Sequence, residues 1–311
     1  MIRTITLLLA ALLTGLPGIA RAQKLDDAPR TVVMTAFQPE WSALVGSLSE
    51  SREHRINGSL FLTGTLAGKP VVLMQSGVSV VNAAMNTQLV LDRFTVKRIV
   101  FSGIAGGVDP GLSIGDVVVA GNWGQYLEGS LARQTAKGWQ PPHAIDPDAP
   151  ANWQFLFPRG TQVTSATAQA RRVYRLEVDP ALLDLARRVA PTVTLERCVP
   201  PAADMRAGSE LCLPREPRIE IGGTGVTAGV YADNAQFRRY LHKAWAARVL
   251  DMESAAVMQV AASNQVPAIV FRSLSDLAGA DPDRNRLALF AHLASVNSAR
   301  VVLAYMAVLP D

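Results

Sequence analysis

Only four histidines and two cysteines stand among the 311 residues. His54, His143, His242 and His292 show no ligand spacing, and two thiols cannot build a four-thiolate zinc site. No metal centre and no cofactor is therefore expected. Charge is also sparse, at 18% of residues, with 30 basic side chains against 26 acidic ones. The basic residues are scattered, without runs or aromatic interleaving, so nucleic acid is not expected as a partner. Aromatics make up 6% of the chain. No segment beyond the amino terminus holds about 18 consecutive apolar residues, so a mature chain without a membrane span is expected. Disorder is excluded as well, because 49% hydrophobic residues bury enough apolar surface to offset the entropy of ordering. What remains is a globular α/β or α+β chain.

Residues 1–22 read as a signal peptide. Arg3 supplies the positive start, Ile5 to Leu13 is an almost unbroken apolar stretch, and Ala20-Arg21-Ala22 has the small-x-small pattern of a cleavage site. The stretch is shorter than the roughly 20 residues that span a bilayer; an uncleaved anchor is the alternative. Cleavage leaves 28 basic and 26 acidic residues. A periplasmic or secreted protein is the expectation, with no membrane contact after cleavage. Export puts Cys198 and Cys212 in an oxidising compartment. A bridge between them would restrict a Pro-rich loop and contribute on the order of 3 kcal/mol in the chain-entropy model, two free thiols being the alternative.

Along the mature chain, strands are expected over 31–37, 60–65, 70–74, 97–102, 116–120 and 268–272. Helices are expected over 40–49, 80–92, 180–190, 252–263 and 286–309. This alternation predicts a single three-layer α/β domain over 23–311, with a central mixed sheet covered on both faces. The stretch 122–218 is rich in Gly, Pro, Trp and Gln and has little periodicity. It reads as a long insertion decorating that domain.

Four clusters carry possible chemistry, all where strand ends meet loops or helix starts. AFQPE over 36–40 puts Glu40 just past the first strand, where a carboxylate could equally favour a helix start. SGIAGG over 102–107 resembles neither GxGxxG nor a Walker loop and reads as a tight turn or a close approach of backbone to ligand. DMESAA over 251–256 offers two carboxylates before a small-residue helix; capping explains one, and the other needs a partner if buried. FRSLSD over 271–276 sets Arg272, Ser275 and Asp276 after an apolar strand, where a solvated turn is the simpler account of Ser and Asp but not of Arg272.

In this order the clusters resemble the nucleoside phosphorylase superfamily, particularly methylthioadenosine/S-adenosylhomocysteine nucleosidases. The segments SGIAGGVDPGLSIGDVVVA and VLDMESAAVMQVAASNQVPAIVFRSLSDLAG carry the likeness. CLPREPRIEIGGTGVTAGVYADNAQFRRYL is also similar to the plant bark and vegetative storage branch. The resemblance implies an N-ribosyl cleavage site without a cofactor and a homodimer. It makes Glu40 and Asp276 catalytic: Glu40 serves the attacking water and Asp276 the purine N7. Glu253 would bind ribose hydroxyls with Met252 packed on the sugar, Tyr231 would stack on the base, and Ile104, Ala105, Gly106, Arg272 and Ser275 would complete the substrate site. Phe101 and Ile104 stand where phosphorylases of this kind carry a phosphate-binding arginine and serine. An apolar pair cannot supply charge-assisted bonds to a phosphate dianion, so hydrolysis of a purine nucleoside is expected over phosphorolysis. A nucleoside-binding or storage-like protein without turnover is the other reading.

Overall fold

The computed structural model describes residues 23–165, 169–199 and 211–310. The signal-peptide reading of 1–22 lies outside the described residues. The chain opens with β1 (Asp26–Thr35), α1 (Gln38–Val45), β2 (Leu48–Ile56), β3 (Ser59–Leu66) and β4 (Lys69–Gln75). Next come α2 (Val80–Arg93), the 14-residue β5 (Phe94–Gly107), β6 (Val117–Val119) and β7 (Asn122–Gln125). After short β8 (Leu176–Glu177) and α3 (Pro180–Val189) follow β9 (Ile219–Ile221), β10 (Thr224–Thr227) and α4 (Ala235–Trp245). The last are β11 (Ala247–Asp251), α5 (Ser254–Ser263), β12 (Ala268–Asp276) and α6 (Leu287–Val308). Among the described residues, twelve strands share one mixed sheet.

Continuous apolar runs place the central strands between two helical layers. Val32, Val33, Met34, Ile99, Val100, Phe101, Ile269, Val270 and Phe271 are all fully buried. Helix α6 packs on β12 and β5 with α1 and α3 against it, while α2 and α5 pack together in the other layer. At 22 residues and a mean hydropathy of 1.5, α6 is long and apolar enough to cross a membrane. Its buried polar residues instead serve the core: Ser298 Oγ accepts from Gly103 N and donates to Phe271 O, both at 3.1 Å.

Three local expectations are corrected. The helix expected over 40–49 stops at Val45, and Leu48–Ile56 turns back as a charged strand paired with β3. The glycine cluster 102–107 is no turn, since β5 runs through it to Gly107. Nor is SLSD a solvated turn, because β12 continues to Asp276 with all nine residues buried. In the last two cases a neighbouring strand extends the ladder beyond the apolar run that marks it in sequence.

The stretch 122–218 is only partly a decoration. Trp123, fully buried, lies on β7, which pairs with β10 inside the sheet, and β8 pairs with β7. Asp179 caps α3 by accepting from Ala181 N and Leu182 N. The Leu182, Leu183, Leu185 and Val189 face of α3 joins the main core. Strands of two to four residues leave too short a period to be seen in sequence. Other described residues of this stretch form short antiparallel pairs, 129–131 with 156–158, 133–135 with 138–140, and 161–163 with 171–173. Cys198 and Cys212 are joined by a disulfide between two paired strand segments.

Candidate active site

The site begins at a fork in the sheet. On one edge, β5 pairs with β1 as far as Met34↔Phe101, and with β11 from Leu250↔Gly106 onward. Its other edge is held by β12 from Ile99 to Gly106. Between Phe101 and Gly106 the first edge lacks a neighbouring strand, and a side chain takes over. Glu40 Oε1 accepts from Ile104 N at 2.8 Å, and its Oε2 accepts from Ala36 N at 2.5 Å. Gln38-Pro39 starts α1, so Glu40 falls in the first turn and reaches back to its own helix entry. The capping account and the site account of Glu40 are thus one arrangement.

Behind Glu40 lies Arg272, wholly buried on β12. Its guanidinium is paired with Asp251 (Nε to Oδ2, 2.7 Å), Glu253 (Nη2 to Oε2, 3.6 Å) and Glu40 (Nη1 to Oε1, 3.8 Å). Nε and Nη2 also donate to Ser254 Oγ. The ring of Phe101 covers the cation, its centroid 4.1 Å from Cζ. Asp251 is the capping acid of the DMES segment. Its Oδ1 accepts from Glu253 N and Ser254 N at the start of α5, and from Thr227 Oγ1. Glu253 is left to face the cavity, with Oε1 held by Ser79 N at 2.8 Å. Ser79 has φ +80°, a strained position for a residue with a side chain.

Asp276 ends β12. Its Oδ1 accepts from Ala278 N and its Oδ2 from Ser275 Oγ, each at 2.9 Å. Gly106 gives it room, since a Cβ there would lie 3.1 Å from Asp276 Oδ1. Glu40, Glu253 and Asp276 line one cavity of about 200 Å³ with Phe37, Val78, Ile104, Ala105, Gly106, Val230, Tyr231, Leu250, Met252, Ser275 and Leu287. No Lys or Arg lies on that wall. The described residues contain no cluster of His, Cys, Asp and Glu able to hold a metal ion.

Burial raises all three acids. Glu40 is pushed above the usual carboxylate range by complete desolvation, against the pull of Arg272 and of the N–H groups of Ala36, Ile104 and Phe37. Glu253 is pushed up to about 7, first by burial and then by the charge of Asp251, with Arg272 opposing. Asp276 rises through burial, against its bonds from Ala278 and Ser275. Tyr231 is raised to about 12 by desolvation and by Asp276. The site therefore holds three carboxyls whose burial favours the protonated form, beside a guanidinium whose charge the neighbouring acids favour.

The fold thus brings together Glu40, Ile104, Ala105, Gly106, Tyr231, Met252, Glu253, Ser275 and Asp276. Arg272 is the correction. It does not line the cavity but sits behind three carboxylates, because an unpaired buried guanidinium is costly and these acids are its partners. Asp251, Ser79, Val78, Phe37, Val230, Leu250 and Leu287 were not anticipated as site residues. The DMES motif signals Asp251, whereas Val78, Ser79 and Leu287 carry no local signal and depend on tertiary placement.

A family model described as the phosphorylase superfamily matches residues 30–307. The chain is 34% identical over 279 residues to the 5′-methylthioadenosine/S-adenosylhomocysteine nucleosidase of Mycobacterium bovis, covering 89% of this chain and 96% of that one. It is 27% identical over 270 residues to bark storage protein A of Populus deltoides, covering 83% and 80%. A crystal structure of the corresponding nucleosidase from Neisseria meningitidis, in complex with methylthio-immucillin-A, superposes with a TM-score of 0.65 at 22% identity, over 90% of this chain and 99% of that one. The futalosine hydrolase of Helicobacter pylori does so with a TM-score of 0.65 at 18% identity, over 90% and 99%. Both superpositions speak for the fold.

Proposed function

Because the chain belongs to the phosphorylase superfamily, we propose that it is a purine nucleosidase, hydrolysing the N-glycosidic bond of a nucleoside to free base and sugar. The observation that carries this reading is the convergence of Glu40, Glu253 and Asp276 on one cavity of about 200 Å³. The nucleosidase relative from Mycobacterium bovis supports it.

Glu253 accepts from the ribose hydroxyls, with Ser79 N fixing its other oxygen. As the bond from C1′ to the base nitrogen lengthens, positive charge spreads over the sugar, and the carboxylates of Glu253 and Glu40 stabilise it. The bond pair leaves with the purine, which takes the Asp276 proton at N7. Water adds its oxygen to C1′ and gives its proton to Glu40. Each proton-transfer role contributes roughly 10²–10⁴ in rate. The enzyme has then moved one proton from Asp276 to Glu40, and exchange with solvent restores both. Arg272 acts from behind as a positioning residue: its charge allows Glu40 and Glu253 to ionise in a buried setting.

Hydrolysis is favoured over phosphorolysis because a phosphate dianion would meet a wall of carboxylates. Arg272, the cation behind the cavity, is already committed to three acids. The likeness to bark storage protein A and the apolar Ile104 favour the second reading, capture of nucleosides without turnover. A panel of nucleosides with and without phosphate separates the possibilities. Free base without phosphate is expected; strict phosphate dependence, or tight binding without product, overturns the assignment.

The same reading includes an exported homodimer. The Cys198–Cys212 disulfide supports an oxidising compartment, periplasmic or extracellular, after removal of 1–22. Val78 and Tyr231 line the cavity yet are 44% and 53% exposed, beside exposed Val81 and Met85 on α2. A second copy on this apolar face would close the mouth of the cavity.

A further inference from the structure

A second concavity lies between one face of α4 and the segment 148–153, with a volume of about 750 Å³. Its charge is opposite to that of the carboxylate-lined cavity. Arg175, Arg239 and Lys243 line it, against Asp148 alone among the acids. Trp153 and Tyr240 supply aromatic surface, their ring centroids 5.1 Å apart. The assembly is fastened: Tyr240 OH donates to Ala151 O at 2.9 Å, and Arg175 Nη2 donates to Trp245 O at 2.9 Å.

The end of a helix attracts cations to its last carbonyls. Here Lys243 stands in the last turn of α4 and Arg175 already serves its final residue, whereas Arg239 lies well before that turn. Among the described residues, no ion pair engages Arg239 or Lys243. Four positions apart on one helix, these two cations repel each other by roughly 0.2–0.5 kcal/mol. An anion between them and Arg175 reverses that sign. Half-buried Trp153, backed by the buried ring of Tyr240, offers a surface at the same concavity on which a flat ring can rest, which a free inorganic anion would not use.

We propose that this cleft is a second ligand site, taking a phosphate-bearing aromatic molecule of the nucleotide class. The phosphate pairs with Arg175, Arg239 and Lys243, and the ring system lies against Trp153. The proposal does not rest on the nucleosidase reading, since none of these residues lines the catalytic cavity. The contrast in charge sorts ligands: neutral nucleosides enter the acidic cavity, whereas a phosphomonoester is repelled there and held here.

Calorimetric titration of the mature protein with adenosine 5′-monophosphate, inorganic phosphate and adenosine tests this. Saturable binding of the monophosphate is expected in low salt, at least tenfold weaker in an R239E/K243E variant and weakened by raised salt. Inorganic phosphate should bind more weakly than the monophosphate. Turnover of neutral nucleosides should be unchanged in the variant, which separates this test from failure of the catalytic assignment. An R239Q/K243Q variant guards against misfolding and should show an intermediate loss. Absence of saturable binding, unchanged affinity in the charge-reversed variant, or inorganic phosphate binding as tightly as the monophosphate would overturn the proposal.

Discussion

Glu40 and Arg272 meet across the missing side chain of Gly103. Their Oε1 and Nη1 atoms lie 3.8 Å apart. A Cβ on Gly103 would fall 1.7 Å from Nη1 and 2.6 Å from Oε1. The glycine is needed there because a charged pair fills its side-chain space. Close approach of a ligand is not the reason.

Gly103→Ala should therefore push Arg272 off its carboxylates. We expect a loss of about 1–3 kcal/mol, the usual cost of overpacking, together with loss of turnover. Thermal melting and kcat measure the two effects. A variant with unaltered melting and rate would show that the pair is not held by this contact.

Arg272→Met removes the cation and leaves Glu40, Asp251 and Glu253 buried together. Breaking a buried ion pair from one side costs about 3–5 kcal/mol. Denaturant unfolding reads this directly. Stability equal to wild type would mean that the Arg272 charge does not hold the three acids in place.

Asp276→Asn should lower kcat for purine release by roughly 10²–10⁴ with a melting temperature near wild type. Glu40→Gln should reduce turnover more than affinity. Equal losses of both would remove Glu40 from the role of water base.

The raised position of Glu253, about 7, sets two opposite pH trends. Its proton is held more tightly folded than unfolded, so this group's stabilisation is complete below the unfolded value of 4.5 and is lost as pH rises through about 7. Sugar binding needs the ionised form, so kcat/KM should fall as pH drops below about 7. In Glu253→Gln both trends should vanish, with low activity throughout. An acid limb that survives in this variant belongs to another group.

Met85→Asp sets a charge on the exposed face of α2. Sedimentation velocity should show a dimer for wild type and a monomer for the variant, with KM raised more than kcat is lowered. A monomeric wild type at working concentration would refute closure of the cavity by a second copy.

Sequence alone was enough for the layered α/β architecture and for the three acids. Apolar runs of strand length, helical spacing and punctuating Gly and Pro are local properties, and Glu40, Glu253 and Asp276 are picked out by the order of short motifs that carries the family resemblance. What the cleft is made of was decided in three dimensions. The transfer of β5 from β1 to β11 leaves Ile104 N for Glu40 to take. On the other edge, the pairing of β5 with β12 carries the ladder through SGIAGG and SLSD, which read locally as turns. Arg272 shows the limit most clearly: the family resemblance suggests a ligand contact, whereas burial forces it among carboxylates from α1, β11 and the start of α5. Which face a strand residue presents depends on its register with other strands, and that information is distributed over segments as far apart as Ser79 and Glu253.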